Sequence, residues 1–256
     1  MPTKGDRSVP KTGFVYASDE APGPMRAARA GVTISIEGRV PPWIVVDHDL
    51  SSVIVAKWPG RLWRVRIVEA ASERDQHAFG GHPLPQARYT RCLAVSVEAE
   101  EDSAILFGPR GAGVVRVLQE ASRLGHARAV ALAGNRHAGA GAAQDRVWRN
   151  WLRQQAVPAD TNVDYDGTLL MGGQKPGSPI DQGLAALHLA VFKRAQAVDG
   201  EAATASDEDD TWLIHPWDGA NRVLGDAALA LGAPELMSKE DRAILLHGWS
   251  KVIGGL

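Results

Sequence analysis

Hydrophobic positions along this chain change their spacing near residue 107. Before that point they alternate, as half-buried strands do. Val32, Ile34 and Ile36 share one side of Val32–Glu37, and Ile44-Val45-Val46 forms a short apolar run after Pro41-Pro42. Beyond the Pro59-Gly60 turn signal, Trp63, Val65 and Ile67 oppose Leu62, Arg64 and Arg66, and Leu93, Val95 and Val97 supply the inner face of a further strand. Asp49 is placed to cap a short helix with Leu50, Val53 and Ile54 inward, although the β-branched residues there suit a strand nearly as well. Residues 72–86, bearing glycine and proline, read as a loop.

After residue 107 the spacing becomes helical. The run Ile105-Leu106-Phe107 reads as a last strand, followed by a glycine turn and a helix with Val114, Val117, Leu118, Ala121 and Leu124 on one face. Three later helices carry their own start signals. Ser178-Pro179-Ile180-Asp181 opens a stripe of Leu184, Leu187, His188, Val191, Phe192 and Ala195, with Gly200 just past its end. Asp218 is placed to cap a helix through Val223, Leu224, Ala227 and Leu231, stopped by Gly232 and Pro234. Ser238 to Asp241 repeats the capping arrangement ahead of Leu245, Trp249, Val252 and Ile253.

The pattern therefore predicts an α+β fold: a β-rich N-terminal part packed on a helical C-terminal part. Its expected organisation is a mobile polar tail over 1–13, a β-rich part over 14–110 and a mainly helical part over 111–256, with one compact domain as the alternative. At 256 residues the chain is long enough to bury a sizeable core in either arrangement.

Composition narrows the function classes. A formal charge of −2 gives no global attraction to nucleic acid. The single cysteine, Cys92, leaves no intrachain disulfide and no cysteine-based zinc cluster, and it suits a reducing cytosol. No apolar run approaches a secretory signal or a membrane span, so a cytoplasmic protein without membrane contact is expected. Abundant Ala, Gly, Arg and Val suggest a bacterial source. Charge is unevenly spread: residues 110–153 hold eight arginines against Glu120 and Asp145, whereas 156–241 hold fifteen acids against five Lys/Arg. The run Asp207-Glu208-Asp209-Asp210 reads as a solvated loop.

Candidate chemistry is incomplete everywhere it arises. Gly108-Pro109-Arg110-Gly111-Ala112-Gly113 has the glycine gap of a phosphate-binding loop, but Val114 and Val115 stand where Lys and Ser/Thr would neutralise phosphate and hold the metal. Arg110, Gly111 and Gly113 are left as anion-binding candidates beside a plain structural turn. The eight histidines include no H-E-x-x-H or other close ligand pair, so no metal and no cofactor is expected. Asp47-His48-Asp49 offers an acid–histidine neighbourhood without a nucleophile elbow. Trp148, Arg149 and Trp151 alternate aromatic and cationic groups on one helix, and these are residue types enriched at protein interfaces.

Two short strings resemble family motifs. Asp164-Tyr165-Asp166-Gly167-Thr168 resembles the first motif of the haloacid dehalogenase superfamily. That resemblance implies a phosphorylated nucleophile at Asp164, a general acid at Asp166 and magnesium between them. Glu98-Ala99-Glu100, ahead of an apolar strand, resembles the E-x-E element of ADP-ribosyltransferases, with Tyr16 nearest to a first-strand substrate contact. Neither string is joined by the rest of a catalytic set. The reading from sequence is therefore a cytosolic bacterial accessory or protein-interaction protein, with a protein partner or self-association. Its alternative is an enzyme acting on a phosphate-bearing or nucleotide substrate.

Overall fold

The computed structural model describes residues 11–37, 42–55, 57–72, 75, 89–154, 179–208 and 210–254. The fold is α+β, with strands in the N-terminal part of the chain and helices in the C-terminal part. Two compact units divide it: Met1–Ile54 with Pro59–Ser103, and Val55–Trp58 with Ala104–Leu256.

The first unit is built from β1 (Thr12–Ser18), β2 (Thr33–Ser35), β3 (Ile44–Asp47), β4 (Gly60–Ala70) and β5 (Tyr89–Glu101). All pairings are antiparallel. β1 pairs with β4 from Thr12↔Arg66 to Ser18↔Gly60, and β4 pairs with β5 from Leu62↔Glu101 to Ala70↔Cys92. The other edge of β5 takes β3 and then β2, and β3 returns to β1 through Phe14↔Asp47. The ladder β5–β3–β1–β4 thus closes on itself as a small barrel, which pairs edges that an open sheet would expose. Thirteen residues make β5 long enough to serve partners on both edges.

Alternation fills the barrel. Val15, Val46, Trp63, Val65, Val95 and Val97 belong to one buried cluster, with Val32, Ile36 and Ile67 packed against it. The expected face Leu93–Val95–Val97 breaks at its first member: Cys92 joins the cluster, while Leu93 is buried outside it. Register shifts between β4 and β5 run through this region, with Glu69 opposite Ala94 and Ala70 opposite Cys92. The resulting bulge reverses the in/out parity of the strand. Asp49 heads only a 3-10 turn, Leu50–Ser52; Val53 is buried but Ile54 is 77% exposed. β-branched residues at 53–55 leave the helix for extended backbone.

The second unit contains α1 (Gly111–Ser122), α2 (His126–Gly134), α3 (Ala140–Gln154), α4 (Pro179–Asp199), the hairpin strands β6 (Thr204–Ser206) and β7 (Thr211–Leu213), α5 (Trp217–Gly232) and α6 (Lys239–Val252). Helix α5 packs against α1, α2, α4 and α6, and it is buried nearly all round, from Trp217 through Leu229. Alanine-rich sequence (Ala220, Ala227, Ala228, Ala230) suits a helix surrounded by others.

Three expectations change here. The run Ile105–Phe107 is a 3-10 turn, Ser103–Phe107, not a strand. A short apolar run fits either state by spacing alone, and here it buries Ala104, Leu106 and Phe107 in the helical unit. Asp218 is not the cap of α5: Pro216 holds that position, and Asp218 sits in the first turn, bonded to Arg222 at 2.9 Å. His188 leaves the apolar stripe of α4 and lies exposed, 3.2 Å from the Asn221 amide. By contrast Ser238 does cap α6. Its Oγ accepts the Asp241 N–H at 3.0 Å and donates to Asp241 Oδ2 at 3.0 Å.

Candidate functional site

The glycine stretch holds local structure. The Gly111 N–H donates to the Gly108 carbonyl at 3.0 Å and the Gly113 N–H to the Arg110 carbonyl at 2.9 Å, so two of its amides are already bonded. Gly108 has φ 87°, a left-handed conformation that favours glycine. A Cβ at Gly111 would run into the Ala104 carbonyl, and one at Gly113 would lie 2.8 Å from Leu231 Cβ. Arg110 is exposed at the start of α1.

Trp148 and Trp151, candidate contact residues together with Arg149, are both buried, at 3% and 7% exposure, with their rings edge to face and centroids 6.1 Å apart. They follow Ala143, Val147 and Leu152 onto the inward stripe of α3. Burial removes them as contact residues and leaves Arg149 exposed, its Nε donating to the Asp145 carbonyl at 3.1 Å. The outer side of α3 is therefore cationic without being aromatic.

Glu98 and Glu100 lie within β5, not ahead of a strand. Arg64 and Arg66 sit 3.7 and 3.8 Å from Glu98, Arg61 sits 3.9 Å from Glu100, and Arg64 also reaches Glu101 at 3.3 Å. This is a solvated cross-strand charge ladder, of a kind that contributes little to stability pair by pair. Burial pushes the Tyr16 hydroxyl well above the usual phenol range, with Asp19 adding to the effect. Asp164 and Asp166 lie outside the described residues.

Polar groups do gather at the end of β3. Burial, reinforced by Asp49, pushes the Asp47 carboxyl up to about 7, and burial holds the His48 imidazole below its usual value. His48 Nε2 lies 3.0 Å from Thr90 Oγ1. Thr90 is itself buried. Cys92 is buried too, its thiol pushed up to about 12, which leaves it protonated and unreactive at neutral pH.

In the helical unit, Asp199 Oδ2 accepts the Trp217 indole N–H at 2.7 Å and lies 2.5 Å from His126 Nδ1. These bonds tie the end of α4 to the starts of α2 and α5. The bond to His126, then that to Trp217, hold the Asp199 carboxyl below its ordinary value of 3.8. A depressed folded value means that this contribution is present above the unfolded value and is lost as pH falls through the folded one. Asp199→Asn should therefore lower the melting temperature near neutrality, and the deficit relative to wild type should shrink below pH 3.8. Thermal melts across that range decide this, and a deficit independent of pH would remove the ionised carboxylate from the account.

The run 207–210, expected as a solvated loop, joins the two strands of a hairpin. Thr204↔Leu213, Ala205↔Trp212 and Ser206↔Thr211 are opposed, and the Asp207 N–H bonds the Asp210 carbonyl at 3.0 Å. Pairing runs on at the base through the Ile214 N–H to the Ala203 carbonyl at 3.1 Å. Trp212 and Ile214, two residues apart, remain 43% and 36% exposed. Trp212 is the one aromatic among the large hydrophobic side chains left exposed in the described residues. Asp207, Glu208 and Asp210 are exposed at the tip. Three-residue strands are too short to show a period, which is why the charge run dominated the sequence pattern.

Compared with protein-family models, with curated proteins and with solved structures, the chain matches none. No helix among the described residues is long and apolar enough to cross a membrane.

Proposed function

We propose that this chain is an accessory protein that works by protein contact, with the β6–β7 hairpin as its contact element. The observation that carries the reading is the exposure of Trp212 and Ile214 beside an acidic tip. Tryptophan is among the residues that dominate binding energy at interfaces, and an exposed indole costs the free protein hydration. The hairpin holds it on a hydrogen-bonded ribbon rather than a loose loop, so little side-chain freedom is lost on docking. The buried thiol of Cys92 agrees with residence in a reducing, cytosolic compartment, and the Ala-, Gly- and Arg-rich composition with a bacterial source. Two bonded amides in the Gly108–Gly113 stretch lend no support to a phosphate-binding enzyme.

A photocrosslinking residue at Glu208, introduced in cells making the full chain, should give a discrete adduct that the same residue at exposed Ile54 does not. With the partner purified, Trp212→Ala should weaken binding by about 2 kcal/mol, near thirtyfold in Kd, and leave the melting temperature unchanged. Equal adducts from both positions, or full affinity in Trp212→Ala, would rule the hairpin out as the contact element.

A further inference from the structure

The hairpin and the cationic side of α3 are complementary surfaces placed where one molecule cannot bring them together. The hairpin leads directly into the first turn of α5. Helix α3 starts beside α5, where Gln144 Nε2 donates to Asp226 Oδ1 at 2.7 Å, and its later turns are fastened beyond the other end of α5: Asn150 Nδ2 donates to the Leu236 carbonyl at 2.8 Å, and Arg146 Nε to Asp241 Oδ1 at 3.0 Å. The sixteen residues of α5 separate the two by about 24 Å at 1.5 Å per residue.

Their chemistry matches. The hairpin exposes Trp212 on β7 and the acidic residues Asp207, Glu208 and Asp210 at its tip, where Asp207 Oδ1 accepts the Asp210 N–H at 2.9 Å and Asp210 Oδ1 the Thr211 N–H at 2.7 Å. On α3, Arg149 and Arg153 stand one turn apart, both exposed, and neither meets a carboxylate among the described residues. A guanidinium can stack on an indole and still direct its N–H groups to carboxylates, which lysine cannot do as well. We infer that the occupant of the hairpin is a second copy of this chain, docked through Arg149 and Arg153. The inference rests on the contact reading of the hairpin given above. Because the two patches differ, the contact is heterologous, and repeated copies join head to tail into a ring or an open chain.

Sedimentation velocity on the full chain tests this. Assembly should grow with concentration at about 50 mM salt and weaken about tenfold or more at about 500 mM, where exposed charges are screened. Trp212→Ala and the double variant Arg149→Glu/Arg153→Glu should each sediment as monomers with unchanged melting temperatures. Mixed together they should form a one-to-one dimer and nothing larger, since each retains the surface the other lacks. Should the charge-reversed variant fold poorly, Arg149→Gln/Arg153→Gln replaces it. A wild-type chain that stays monomeric at about 200 µM in low salt, where even a weak contact would register, overturns the inference. So does assembly that survives in either variant, or a mixture that stays monomeric. A fluorescently labelled deca-arginine peptide separates this failure from that of the underlying reading. Binding that is lost in Trp212→Ala would keep the hairpin as a contact element for another basic partner, and no binding would remove that as well.

Discussion

Replacing Gly111 by alanine is expected to destabilise the protein by about 3 kcal/mol, at the upper end of overpacking costs. The new methyl would overlap the Ala104 carbonyl and press on Phe107 Cβ, 3.2 Å away. Neither neighbour has room to yield. Ala104 lies in the 3-10 turn whose end is set by Gly108, and Phe107 is fully buried, its ring edge to face with Trp58 at 5.8 Å between centroids. Backbone cannot rotate away as a long side chain would, so the clash shifts the start of α1. Gly108→Ala should cost about 1–2 kcal/mol through the left-handed φ of 87°. Urea melts followed by far-UV circular dichroism give both values. If Gly111→Ala proves as mild as a substitution at exposed Ala112, the close packing of the turn against α1 is wrong.

A comparable loss, about 3–5 kcal/mol, is expected from Arg136→Leu. Asp226 on α5 is 2% exposed, and both of its oxygens are occupied. Arg136 Nε donates to Oδ2 at 2.9 Å, Arg136 Nη2 to Oδ1 at 3.3 Å, and Gln144 Nε2 to Oδ1 at 2.7 Å. Burial pushes this carboxyl above its ordinary value, and the bond to Arg136 only partly offsets that. A raised folded value means that ionising Asp226 costs folding free energy as pH rises above 3.8. Removing the guanidinium enlarges that cost. The Arg136→Leu deficit should therefore be greatest near neutral pH and smaller in acid, where Asp226 takes up a proton. Adding Asp226→Leu should recover most of the loss, since an apolar pair replaces a stranded carboxylate. Arg222→Ala, which breaks the exposed pair with Asp218, should change stability by about 0.5 kcal/mol or less. An Arg136→Leu loss no larger than the Arg222→Ala loss would show that the buried pair is not needed.

Long, regular stretches were legible without coordinates. Alternation through Trp63 and Val65 placed a barrel strand, and the Ser238–Asp241 cap began α6 where it was expected. Both signals are local: a two-residue period needs one strand, and a cap needs one turn. The strands at 33–35 and 44–47 were equally readable, although nothing in their spacing disclosed that β5 would pair on both edges and close the ladder. The candidate surface was legible only in part. Arg149 was singled out and does lie exposed, whereas Trp212 was lost in the charge run that surrounds it.

What the sequence determined by itself was the order of strands before helices, the cap of α6 and the uneven distribution of charge, because each is carried by neighbouring residues. Tertiary structure alone decided that Ile105–Phe107 coils instead of extending, that Trp148 and Trp151 turn inward, and that Trp212 stays out. Tryptophan carries the same apolar area in every context, and its burial is settled by whether a neighbouring element covers it. α3 has one side against α6, whereas Trp212 on the two-stranded ribbon stays 43% exposed among the described residues. That difference lies between segments distant in the chain, where no local period can record it.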